Sequence, residues 1–110
     1  DRDFAVRAGA HGAIVGYAGC VAGHLGVSGG RQPGVRLGFQ QVVHPVYLAR
    51  KGTLTALQAV LMVARALVAN TLPSRDSRVD RPGRLRGNLS GLWTVLAHGA
   101  DPARVFRLTA

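Results

Sequence analysis

AIVGYAGCVAGH, residues 13–24, is the stretch on which the fold class turns. Its residues are small or β-branched, and Gly16 and Gly19 interrupt it. That pattern predicts one strand, a turn near Ala18 and Gly19, and a second short strand ending at His24. Ahead of it, residues 1–12, DRDFAVRAGAHG, set Phe4, Ala5, Ala8 and His11 on a short helical period that Gly12 closes. Behind it, residues 25–38, LGVSGGRQPGVRLG, hold five glycines and a proline and read as a mobile loop. Residues 39–51 carry no decisive pattern, and Pro45 would interrupt a helix there. A short helix and two short strands followed by two or three helices make the expected fold class α/β.

The helices come next. Residues 53–72 set Leu54, Leu57, Leu61, Ala64, Val68 and Leu72 on one stripe, which Val60 and Leu67 widen. Thr53 is placed to cap the start, and Asn70 with Pro73 to end it. Residues 74–81 form a polar linker. A second helix over 82–98 starts after Asp80, with Leu85, Leu89, Leu92, Trp93 and Leu96 on one face. Gly83, Gly87 and Gly91 line a neighbouring stripe. Each glycine costs a helix about 1 kcal/mol relative to alanine, so close packing against another element is the expected compensation. Asp101 and Pro102 supply an N-cap and a first-turn proline for a final short helix.

Composition narrows the function classes. The 110 residues include 13 Arg and 1 Lys against 5 Asp and no Glu, for a formal net charge of +9. Hydrophobic residues make up 47%, which excludes a disordered basic tail. Aromatics at 5% argue against stacking on single-stranded bases. The lone Cys20 excludes an intrachain disulfide framework and a multi-cysteine zinc site, and reads as a small core residue. No charged segment leads into an apolar signal core, and the opening on Asp rather than Met suggests a processed chain or a piece of a longer one. His11, His44 and His98 show no ligand spacing, and GVSGGRQPG lacks the Gly-Lys-Ser/Thr ending of a phosphate-cradling loop.

Two carboxylates, Asp1 and Asp3, open the first helical stretch, Arg7 follows one turn on, and His24 ends the second expected strand. A carboxylate and a histidine returned to one another can hold a divalent metal or deprotonate a hydroxyl. An aspartate at a helix start is otherwise a cap. The order Asp1, Asp3, Phe4, Arg7, Gly12, His24, Ser28, Gly29 resembles the acceptor-side segment of family-two, nucleotide-sugar-dependent, inverting glycosyltransferases of the GT-A fold. The resemblance continues through VYLARKG, the long apolar helix, the basic linker and PGRLRGNLSGLWTVLAHG. It departs at Ala18, where the family usually has proline, and at His44 and Pro45, where it often has Arg-Asn.

The resemblance implies the C-terminal part of a GT-A (Rossmann-like) domain. Residues 1–52 would be the acceptor-side end with its glycine-rich loop at 25–38, and 53–110 a C-terminal helical extension. It makes Asp1 the catalytic base, Asp3 and Arg7 supporting residues, His24 a metal ligand, and Ser28, Gly29 and Gly30 part of a flexible loop over the site. The cofactor would be a divalent metal, Mn or Mg. The partners would be a nucleotide-sugar donor and a glycan or lipid-linked acceptor in cell-envelope synthesis. The donor-binding half is missing from the 110 residues, so activity is expected only in the intact enzyme.

The expected location is cytoplasmic, peripheral on the inner face of the membrane. Arg65 and Gln58 argue against residues 53–72 spanning a bilayer. An apolar helix followed by the arginine-rich linker suits an interfacial position on anionic lipid through residues 53–86. Arg75, Arg78, Arg81, Arg84 and Arg86 could also meet phosphates. The alternative is therefore a small basic helical RNA- or ribosome-binding protein, although a solvated face is the commoner outcome and nucleic acid is not the expected partner.

Overall fold

The structure, a computed structural model, describes residues 2–16, 18–19, 32–73 and 79–108. The chain divides into two compact units, Asp1–Arg31 and Gln32–Ala110.

In the first unit, α1 (Arg2–Gly9) has Asp3 in its first turn and Arg7 in its last, each at the helix end its charge favours. Turn hydrogen bonds from the Ala10 and His11 amides to the Arg7 and Ala8 carbonyls end it ahead of Gly12. Residues 13–16, expected to be a strand, have no regular structure, whereas Ala18 and Gly19 do form a turn. A strand needs a partner to take its backbone hydrogen bonds. No strand among the described residues pairs with residues 13–16, and Ile14 and Val15 stand exposed. No strand occurs among the described residues, so the α/β expectation is corrected to an all-helical architecture. Residues 20–24 lie outside the described residues.

The second unit holds α2 (Gly34–Arg50), α3 (Ala56–Thr71), α4 (Arg81–His98) and a closing 3-10 helix, Pro102–Arg107. The helix α2 begins inside the span expected as a loop, directly after Pro33, and runs through Pro45 without a break. Its glycines serve a close approach. A Cβ on Gly38 would fall on the Arg84 carbonyl oxygen, and one on Gly87 on the Val35 carbonyl oxygen. Gly91 lies over Phe39 and Val42, and Gly34 over Asp80. These pairings advance together along both helices, so α2 and α4 run parallel in a glycine-lined seam. Gly87 and Gly91 of the expected stripe therefore pack closely against α2, whereas a Cβ on Gly83 would meet the Asp80 side chain that caps its own helix.

The turn after α2 uses Gly52 at φ 83°, a left-handed position that favours glycine. Thr55, two residues later than expected, caps α3. Its hydroxyl accepts from the Gln58 amide at 3.2 Å, and the Gln58 side chain accepts from the Thr55 amide at 2.9 Å. Leu72, extended as a residue before proline must be, ends α3. Asn70, near that end, hydrogen-bonds both Gln41 and Asn88, so α3 returns antiparallel beside α2 and α4. Thr55→Ala is expected to destabilise this unit by about 1 kcal/mol in urea unfolding. An unchanged midpoint would mean that Thr55 does not cap α3.

Asp80 caps α4 by accepting from the Gly83 amide at 2.8 Å, and Asp101 caps the closing helix through the Ala103 amide at 3.0 Å. The closing helix lays Val105 on Phe39 and Val43, the centre of a small core. Arg36 of α2 clasps the Leu108 carbonyl oxygen with two donors at 3.3 Å each.

Candidate functional site

Of the residues expected at the acceptor site, Asp3 and Arg7 share α1 and form an ion pair at 3.6 Å across one turn. Asp1, His24, Ser28, Gly29 and Gly30 lie outside the described residues. Among the described residues, no group of three or more His, Cys, Asp or Glu could hold a metal ion. Partial burial pushes the His44 imidazole below the ordinary histidine range, although the residue as a whole counts among the exposed ones.

A feature that composition alone did not disclose lies at the meeting of the three long helices. Asn88, with none of its surface exposed, donates to the Gly38 carbonyl oxygen at 2.8 Å and to Gln41 Oε1 at 3.3 Å. Its Oδ1 accepts from Asn70 Nδ2 at 2.7 Å, and Asn70 Nδ2 also donates to Gln41 Oε1 at 2.9 Å. No buried side-chain polar atom among the described residues lacks a partner. The network is thus closed on itself and works as a lock between helices rather than a ligand cradle. Its signal in the sequence is an asparagine set beside the glycine stripe of α4.

The burial of that glycine side decides what faces outward. In α4, Leu89, Trp93 and Leu96 are exposed. In α3, the buried residues are Ala59 and Asn70, while Leu57, Val60, Leu61, Val68 and Leu72 of the apolar stripe are exposed. Arg65 borders the α3 face and Arg86 borders the α4 face, both exposed. Arg81 is engaged instead at the end of α3, donating to the Ala69 and Leu72 carbonyl oxygens at 2.8 and 2.7 Å. No helix among the described residues is long and apolar enough to cross a membrane.

No protein-family model, curated protein or solved structure matches the chain.

Proposed function

We propose that this chain is the acceptor-side part of a nucleotide-sugar-dependent, inverting glycosyltransferase acting on a hydroxyl of a cell-envelope glycan or lipid-linked acceptor. The residue order from Asp1 to Gly29 suggests the reading, and the Asp3–Arg7 pair is the structural observation that supports it. A carboxylate already paired with a guanidinium one turn away suits a bracing role. The resemblance, which matches Asp1 to the family's catalytic base, gives that role to Asp1. In that role the Asp1 carboxylate takes the proton of the acceptor hydroxyl as its oxygen bonds to the anomeric carbon. The bond from that carbon to the donor phosphate breaks on the opposite face.

The test uses the protein that includes the donor-binding half. Asp1→Asn keeps the shape and removes the base, so turnover should fall by about 10²–10⁴ with donor affinity little changed. Asp3→Asn should lose less turnover. Steady-state transfer with donor titration separates the two. If Asp3→Asn abolishes turnover while Asp1→Asn does not, the base is Asp3. If neither matters, the glycosyltransferase reading fails and the basic binding protein replaces it.

A further inference from the structure

We propose that the outward faces of α3 and α4 form a docking surface for an anionic lipid bilayer, on which the second unit lies in the plane of the interface. The inference stands independently of the glycosyltransferase reading. It begins with an inversion of the usual order. An amphipathic surface helix turns its leucines to the core, but α3 turns Ala59 and Asn70 inward and leaves Leu61 and Val68 largely in water. The glycine seam and the amide lock complete the interior without them. Exposed apolar residues recurring over the four turns of a 16-residue helix make a strip about 24 Å long. On α4, Trp93 at 70% exposure and Leu96 at 82% add further exposed apolar side chains. A tryptophan suits the boundary between headgroups and acyl chains, where its ring has both an apolar body and a polar N–H.

Charge selects the occupant. Neither α3 nor α4 contains a single carboxylate, whereas Arg65 and Arg86 flank their apolar faces. Among the described residues, the carboxylates nearest these helices are engaged elsewhere, Asp80 as the cap of α4 and Asp101 with Arg104 at 3.7 Å. A second copy laid face to face would bring arginine against arginine with no carboxylate in α3 or α4 to answer it. Anionic headgroups supply the missing negative charge, and the acyl region takes the leucines. Arg65 within α3 keeps that helix in the interface rather than across the bilayer.

Trp93 is the sole tryptophan and reports directly. The 110-residue chain is mixed with vesicles of phosphatidylcholine containing 30% phosphatidylserine and with vesicles of phosphatidylcholine alone. The expected result is flotation with the anionic vesicles, a blue shift of tryptophan emission, and at least tenfold weaker binding to the neutral ones. Leu61→Asp with Val68→Asp replaces exposed residues only, so helicity by circular dichroism should be retained while vesicle binding falls at least tenfold. Arg65→Gln with Arg86→Gln should weaken binding to anionic vesicles and reduce its salt dependence. Absence of binding to anionic vesicles overturns the proposal. So does binding that the Leu61 and Val68 changes leave intact, since that would be charge adsorption alone. Lipid-free dimerisation that shields Trp93, or binding of a short RNA in place of vesicles, overturns it in favour of those occupants.

Discussion

Replacing Gly87 with leucine is expected to abolish the folded helix bundle of the second unit. A Cβ at position 87 would fall on the Val35 carbonyl oxygen and come within 2.7 Å of the Phe39 amide nitrogen. Those are backbone atoms of α2 and cannot swing aside as a side chain would. The helix α4 must back away, and with it go the Gly38–Arg84 approach and the bond from Asn88 to the Gly38 carbonyl. Gly87→Ala is the sharper version. In an isolated helix alanine would gain about 1 kcal/mol over glycine. Here it is expected to lose about 1–3 kcal/mol or more by overpacking. Gly91→Ala should cost less, because its Cβ would meet Val42 Cβ at 3.0 Å and the Phe39 carbonyl oxygen at 3.1 Å, contacts that a small shift can relieve. Urea unfolding followed by circular dichroism gives the ranking. An unchanged or raised midpoint for Gly87→Ala would mean that the two helices do not meet there.

Asn88→Asp should be nearly as damaging at neutral pH, and its damage should depend on pH. The amide nitrogen that faces the Gly38 carbonyl becomes an oxygen without a proton, fully enclosed and set against another oxygen. An uncompensated buried charge costs about 3–5 kcal/mol. Burial raises the carboxyl above its unfolded value of about 3.9. The folded state then holds a proton that the unfolded state has released, so stability rises as the pH falls toward that unfolded value. Urea midpoints at pH 7 and pH 5 should therefore differ in favour of pH 5, beyond the change seen in the unmodified chain. Asn88→Ala takes the side-chain donor from the Gly38 oxygen and unpairs an Asn70 donor hydrogen without adding charge. It should lose about 1–3 kcal/mol, without that extra pH slope. An Asn88→Asp chain that behaves like Asn88→Ala at both pH values would show that water reaches the amide lock.

What the sequence disclosed follows the range of the forces involved. The starts of α4 and of the closing helix are legible because Asp80 and Asp101 bond to amides two or three residues on. The start of α3 is equally local. Its signal is the Thr55-x-x-Gln58 spacing, and weighing threonines singly puts the cap at Thr53 instead. The helix α2 is not legible, because Gly34 and Gly38 mean loop until the backbone across from them is known. The run at 13–16 has strand-like side chains in Ile14 and Val15, but pairing depends on a neighbour that no local window contains. The apolar stripe of α3 shows plainly in the sequence. Its direction does not, since which side turns inward is set by how closely α2 approaches. At the expected acceptor site, the spacing of Asp3 and Arg7 foretells their ion pair, and the other named residues fall outside the described ones.

The parallel seam between α2 and α4 also governs the order of assembly. During synthesis α2 and α3 emerge first as a hairpin, yet the surface that α2 is shaped for belongs to a helix not yet made. The bond between Asn88 and the Gly38 carbonyl joins residues 50 positions apart, and closing so long a loop must precede any return from the contacts it permits. Until Gly91 has been added, Phe39, Val42 and Val43 await their cover, and Asn70 and Gln41 lack the amide that unites them. Folding of this unit therefore waits until α4 has been made. A chain stopped before Gly83 would be left as a hairpin with an open furrow along α2, a substrate for chaperones and proteases rather than a smaller bundle.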